Sequence, residues 1–262
     1  MKAILIDLDG VIYQGDKPVP GAVETIEWLD QNSIPYLFVT NTTSRPRVKI
    51  LEKLKGFGIA IAEDKLLTPV ITAAHWLKDN TSGPVALFIP ETTKRDLRGI
   101  QELPNDRENG AAAVVMGDLG EQWTYSTLNR AFRLLMDEAS TPALIALGMT
   151  RYWRAADGLR LDVAPFVKAL EHATGCEAII VGKPSTTFFQ QALNIVNTSA
   201  ADTVMIGDDI VGDIRGAQAT GIKGMLVKTG KFRPTDLDST IKPDAILDSI
   251  ASLPAWWQKS IQ

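Results

Sequence analysis

Short apolar runs without polar alternation recur along this chain, each followed by a helical pattern, and that rhythm constrains the fold more than any other feature. AILIDLD (3–9) precedes a helical pattern from Gly21 to Gln31. PYLFVTN (35–41) precedes another from Arg45 to Phe57, and a third covers Pro69 to Lys78. VALFIP (85–90), AAAVVMG (111–117) and ALIALG (143–148) continue the series, as do EAIIVGK (177–183), TVMIGDD (203–209) and GMLVKTG (224–230). Strands that read as continuous apolar runs are covered on both faces, so the pattern predicts an α/β fold with a doubly wound, mainly parallel sheet.

Composition narrows the function. The 262 residues, 45% of them hydrophobic, suffice for one large domain or a core with a sizeable insertion. A net charge of −4 with no basic face argues against a nucleic-acid partner bound through its phosphates. Cys176 is the only cysteine, so neither an internal disulfide nor a cysteine metal cluster can form. It reads as a small buried hydrophobe near the start of a strand. Asp7 interrupts the first apolar run, and no run approaches a membrane span, so a soluble cytoplasmic protein without a membrane partner is expected.

Four of the predicted strands end in chemistry. The first ends in Asp7-Leu8-Asp9-Gly10, the second in Thr40-Asn41, a later one in Gly182-Lys183-Pro184, and another in Gly207-Asp208-Asp209. In open α/β sheets the carboxyl ends of strands line the ligand crevice. The pooled groups suit phosphoryl transfer. Asp7 and Asp208 are hard oxygen ligands for Mg²⁺, and one carboxylate can act as nucleophile. A second, near it, can protonate the leaving oxygen and then activate water. Thr40 and Asn41 can donate to the transferring group, and Lys183 places a compact positive charge beside it. Positions 7 and 9 of an extended strand point to one side, which crowds two charges. Gly10 allows an immediate turn, so that Asp9 faces the leaving group.

Each piece has a plainer reading: a turn for Asp-x-Asp, a helix cap for Thr-Asn, a solvated helix N-terminus for GDDIVGD (207–213). GKPST is not a P-loop, because Glu177 stands where the leading glycine belongs and Pro184 follows the lysine. Together and in this order the four segments resemble the haloacid dehalogenase superfamily, its phosphatases in particular. DLDGVIY (7–13), VTN (39–41), Lys183 within GKPS, and GDDIVGD (207–213) stand at its four motifs. The resemblance implies Asp7 as nucleophile and metal ligand, and Asp9 as acid/base with its carbonyl on the metal. Thr40, Asn41 and Lys183 would bind phosphate, and Asp208 would be the second metal carboxylate. Asp213 would support Lys183 or a metal-bound water from behind, with Asp209 sharing either task. The fold implied is a haloacid-dehalogenase-like Rossmannoid core, residues 1–79 and 179–262, with an inserted α/β cap of the C2 type (subfamily IIA) over residues 80–178.

Longer stretches, strongest from about 145 to 236, resemble the branch acting on inorganic pyrophosphate and on phosphohistidine or phospholysine. The expected activity is therefore Mg²⁺-dependent phosphohydrolysis through an aspartyl-phosphate, on a small phosphorylated substrate of that class. Sugar or nucleotide monoesters are the alternative substrates, and the resemblance is compatible with a homodimer. A dehalogenase needs neither metal nor an acid at position 9. A response-regulator receiver is about half this size, and a silent phosphate-binding relative would be expected to lack Asp7 or Asp9.

Other residues carry balanced readings. Arg151, Tyr152 and Arg154, in TRYWRAADGLRLDV (150–163), are candidates for reading substrate charge, level with a solvated hairpin. His75 and His172 read as helical surface or core residues. Lys94, Arg95 and Arg98 read as a solvated helix face, and Trp256 and Trp257 as packing for a terminal helix, with a buried dimer contact as the less common alternative. Gly56, Gly58, Gly221 and Gly224 read as helix ends or turns.

Overall fold

The structure is a computed structural model that describes residues 1–155 and 157–261; the side chains of Arg154, Ala155, Ser260 and Ile261 lie outside the description. The chain divides into two compact units. The first comprises Met1–Thr40, Val48–Leu67 and Lys183–Gln262, the second Asn41–Arg47 and Thr68–Gly182.

The first unit is built on a six-stranded parallel sheet. Its spatial order is Ala245–Leu247, Lys223–Val227, Thr203–Gly207, Ala3–Asp7, Tyr36–Val39, Leu66–Leu67. Every residue of Ala3–Asp7, Tyr36–Val39 and Thr203–Gly207 is buried, as continuous apolar runs require of a sheet covered on both faces. Ile4, Ile6, Tyr36, Phe38, Val204, Ile206, Met225 and Val227 alternate onto one face and form a single apolar core. The helix Ala22–Gln31 packs there through Ala22, Thr25, Ile26 and Leu29, spaced at i, i+3, i+4 and i+7. Chain order reverses beside Ala3–Asp7: successive strands step outward on one side, and the chain later returns to Thr203–Gly207 on the other. In parallel sheets such a reversal opens a crevice at the carboxyl ends of the two central strands.

The second unit holds a four-stranded parallel sheet in the order Ile179–Ile180, Ala143–Ala146, Ala113–Met116, Val85–Phe88. Alternate residues serve two cores: Val85, Leu87, Ala113, Val115 and Ile145 face one, and Ala86, Phe88, Val114, Met116, Leu144 and Ala146 face the other. The helix Pro69–Asn80 starts at Thr68, whose hydroxyl accepts from the Ile71 amide, with Pro69 preset for the first turn. The segment 150–163 is a two-stranded hairpin, Tyr152–Ala155 with Gly158–Leu161.

The fold is the doubly wound α/β arrangement expected from the sequence, with shorter strands than the apolar runs imply. The strands Leu66–Leu67 and Ala245–Leu247 escape a reading by pattern because two or three residues carry no period. Two plain readings need correction, at Gly224 and Lys94, while the histidines stand on helices as read. Gly224 lies inside a strand, where a Cβ would come 2.7 Å from Ile214 Cγ2. Lys94 is no solvated helix residue; it bridges Glu91 and Glu102 at 2.8 and 2.6 Å from a 3₁₀ segment. His75 is half-buried in the Pro69–Asn80 helix, whereas His172 is exposed. No helix among the described residues is long and apolar enough to cross a membrane.

Candidate active site

Strand register brings the motif residues of the first unit to one level. Asp7 pairs with Val39, so Thr40 follows one step beyond it on the neighbouring strand. On the other side Ile6 pairs with Ile206, which puts Gly207 level with Asp7 and Asp208 one step past. Lys183 opens the return into this unit and reaches the same point. Its Nζ donates to Asp7 Oδ1 at 2.7 Å and to Asp213 Oδ1 at 2.6 Å. Asp7, Thr40, Lys183, Asp208 and Asp213 are all buried, whereas Asp9 is exposed.

Three glycines make this convergence possible by keeping side chains away. Gly10 has φ +83°, and a Cβ there would lie 1.9 Å from Asp208 Oδ2. At Gly230 the same atom would be 2.0 Å away, and at Gly207 a Cβ would meet Asp213 Oδ2 at 2.2 Å. After Gly207 the chain enters a wide π-helical turn, Ile210–Arg215. Asp209 caps it, its Oδ1 accepting from the Val211 and Gly212 amides at 3.0 and 2.8 Å. The turn carries Asp213 back beneath Lys183, and Asp213 Oδ2 accepts from the Asp209 amide at 3.1 Å.

The electrostatics follow from burial. Three buried carboxylates face one buried ammonium. Burial pushes Asp208 up to about 6, the Lys231 amide offsetting this in part and the Asp213 charge adding to it. Asp213 also rises to about 6, through burial that outweighs the Lys183 charge. Asp7 shifts upward for the same reason, with Asp208 repelling it. Lys183 stays charged: burial pulls its pKa down, but Asp213 and Asp7 together raise it above the usual lysine value.

This excess of negative charge suits a divalent cation. Ligand oxygens of Asp7, Asp208 and Asp213 lie within 4.8 Å of one another. Both Asp213 oxygens already accept from protein donors. Asp208 Oδ1, by contrast, is buried with no hydrogen-bond partner among the described residues. The donor set is all oxygen, as Mg²⁺ prefers.

Asp9 stands at the edge, its Oδ2 accepting from the Tyr13 hydroxyl at 3.3 Å, while the Gly10 amide closes the turn onto Tyr13 O at 2.7 Å. Asn41, Arg151 and Tyr152 belong to the second unit. There the Arg151 guanidinium sits 5.9 Å from the Tyr152 ring centre, both side chains exposed. The Arg154 side chain lies outside the described residues. Sequence reasoning passed over Tyr13 and the segment Thr229-Gly230-Lys231. Thr229 Oγ1 donates to the Gly10 carbonyl, and the Lys231 amide donates to Asp208 Oδ2 at 2.7 Å. The available signal was a polar, glycine-containing end on one more apolar strand, GMLVKTG.

The chain is similar to known proteins over most of its length. The chain matches the profile of haloacid dehalogenase-like hydrolases over residues 4–101 and a HAD-hydrolase-like profile over 180–253. These spans contain the strand ends just described. The chain is 42% identical over 239 residues to haloacid dehalogenase-like hydrolase domain-containing protein 2 of Bos taurus, covering 91% of this chain and 88% of that protein. It is 37% identical over 256 residues to the Homo sapiens phospholysine phosphohistidine inorganic pyrophosphate phosphatase, covering 96% and 92%. The solved p-nitrophenyl phosphatase from Archaeoglobus fulgidus superimposes with a TM-score of 0.86 at 28% identity, covering 97% of this chain and 98% of that one. The chain belongs to the haloacid dehalogenase-like hydrolases. Within that family it is an enzyme of the phosphatase class.

Proposed function

We propose that the protein is a Mg²⁺-dependent phosphohydrolase in which Asp7 is the nucleophile. The observation that carries the reading is the buried cluster of Asp7, Lys183, Asp208 and Asp213 at the carboxyl ends of the two central strands. Asp7, Asp208 and the Asp9 carbonyl are the residues assigned to the metal. When bound, the ion offsets carboxylate–phosphate repulsion and neutralises charge on the transferring group.

The protein's own groups account for the remaining chemistry. An Asp7 carboxylate oxygen attacks phosphorus, and the bond from phosphorus to the leaving oxygen breaks. Asp9 gives its proton to that oxygen, its carboxyl held at the edge by Tyr13. Water then attacks the aspartyl-phosphate while Asp9 takes the proton back, which releases phosphate and restores Asp7. Thr40, Asn41 and Lys183 are assigned to the phosphoryl oxygens. Asp213 holds Lys183 in place from behind, and Asp209 caps the turn that carries Asp213.

Inorganic pyrophosphate and nitrogen-linked phosphates are the proposed substrates, supported by the name and 37% identity of the human relative. Phosphomonoesters are the second reading, favoured by the structural likeness to a p-nitrophenyl phosphatase. In this reading the insertion acts as a C2-type cap, Arg151, Tyr152 and Arg154 select the substrate, and the enzyme works in the cytoplasm. Sedimentation equilibrium distinguishes a monomer from a homodimer. The deciding assay is phosphate release with Mg²⁺ from pyrophosphate, phosphohistidine, phospholysine, sugar phosphates, nucleotides and p-nitrophenyl phosphate. Preference for the first three is expected. Preference for monoesters replaces the substrate class and keeps the mechanism, and no release from any of them removes the enzymatic reading.

A further inference from the structure

The loop after the Lys223–Val227 strand belongs to none of the four motif segments, yet its backbone is packed against two of them. Thr229 Oγ1 donates to the Gly10 carbonyl, and Gly230 lies so close to Gly10 that a Cβ on it would come 2.5 Å from Gly10 Cα. The Lys231 amide donates to Asp208 Oδ2 at 2.7 Å. The contact with Asp208 therefore uses Lys231 backbone and leaves the side chain available.

That side chain faces outward. It is 68% exposed, and its ammonium meets Asp209 Oδ2 at 3.2 Å. The inner lysine is differently placed: Lys183 is 6% exposed and lies between Asp7 and Asp213. Partial desolvation pulls the Lys231 pKa down, but the charges of Asp209, Asp7 and Asp208 outweigh it and raise the pKa, which keeps the ammonium charged. The site thus has two cations in series, one buried against Asp7 and one at its rim. An exposed pair such as Lys231–Asp209 holds its partners weakly, and an arriving anion can exchange for the carboxylate at little cost.

We propose that Lys231 is a specificity-determining residue whose ammonium receives the outer phosphoryl group of a diphosphate substrate. The inference rests on the function proposed above and deepens it. The inner phosphorus bonds to Asp7, the bridging P–O bond breaks, and its electron pair stays on the departing phosphate, whose bridging oxygen takes the Asp9 proton. Negative charge builds up on that departing group, and the Lys231 ammonium sits where it can stabilise it. A monoester with an aromatic leaving group has no charged outer phosphoryl oxygens for this cation to hold, and the charge that develops on its leaving oxygen is spread into the ring. Lys231 therefore favours diphosphates over such esters by about tenfold, the size of one charge-assisted hydrogen bond at an exposed rim.

The test is steady-state kinetics of the full chain with Mg²⁺ on inorganic pyrophosphate and p-nitrophenyl phosphate, for the parent, Lys231→Ala and Lys231→Arg. Lys231→Ala is expected to lower kcat/KM for pyrophosphate about tenfold more than for p-nitrophenyl phosphate, through KM as the outer phosphoryl group is held less tightly and through kcat as the departing charge is less stabilised, and Lys231→Arg to recover most of that ratio. Equal losses on both substrates overturn the proposal, because they mark a loop that only supports Asp208. No loss on either substrate overturns it as well. A parent that hydrolyses p-nitrophenyl phosphate but not pyrophosphate overturns the Lys231 role and leaves the phosphatase mechanism standing, whereas a parent inactive on both removes the two together. Should Lys231→Ala not fold, Lys231→Gln keeps the stem and the amide and serves the same comparison.

Discussion

Asp7 and Asp208 end neighbouring strands one step apart and share a need for positive charge that the single buried ammonium of Lys183 meets only in part. Asp7→Asn keeps the volume but replaces the nucleophilic carboxylate with an amide. Phosphate release is expected to fall by about 10³-fold or more, and substantial turnover in that variant sinks the aspartyl-phosphate scheme. Asp208 permits a test without substrate. A carboxyl whose pKa rises from 3.8 unfolded to about 6 folded contributes full stability below pH 4 and loses it as pH rises through 6. At pH 7.5 without metal the ionised Asp208 is therefore destabilising. Asp208→Asn removes that charge, and an increase in metal-free stability on the order of 1–3 kcal/mol is expected in urea titrations at pH 7.5. A metal-free midpoint below the parent's contradicts the account.

At the scale of elements, the π-helical turn Ile210–Arg215 converts a strand end into a site by returning Asp213 to Lys183. Gly207 is the position on which this depends. Alanine there puts a methyl 2.2–2.3 Å from the Asp213 side chain, so Asp213 must move and the Lys183 ammonium loses a carboxylate. Gly207→Ala is expected to cost about 1–3 kcal/mol by overpacking, seen as a lower denaturant midpoint, together with most of the activity. Parental stability in that variant means that Asp213 has room the structure does not display. Asp209 tests the same turn from its other end. Asp209→Ala removes the acceptor for the Val211 and Gly212 amides and is expected to cost about 1 kcal/mol, read from the same titration.

At the scale of the whole molecule, ligand binding reports on the site through global unfolding. Mg²⁺ bound only by the folded chain raises stability by about 2.7 kcal/mol at 100 times its Kd. The binding carboxylates must be ionised, so this gain is expected to shrink as pH falls through 6, where Asp208 takes up its proton. Differential scanning calorimetry with EDTA and with excess Mg²⁺, at pH 7.5 and at pH 5.0, measures it. An equal Mg²⁺ shift at both pH values places the ion elsewhere, and Asp208→Asn is expected to abolish the shift at pH 7.5.

Much of this architecture is legible in the sequence. Continuous apolar runs such as AILID and TVMIG encode a sheet buried on both faces, because burying a strand twice leaves no position for polar alternation. The acidic and basic residues that interrupt those runs mark the crevice, since strands in register end at one level. The tertiary structure alone decided the rest. Asp213 lies six residues past its strand, and only the π-helical turn makes it the partner of Lys183. Thr229 and Lys231 meet Gly10 and Asp208 across more than 200 and more than 20 residues of sequence respectively. The upward shifts of Asp7, Asp208 and Asp213 come from desolvation, which is a property of the packed interior. Periodicity is local and survives in a string of letters, whereas the field that three buried carboxylates and one ammonium exert on one another exists only after distant segments have closed around them.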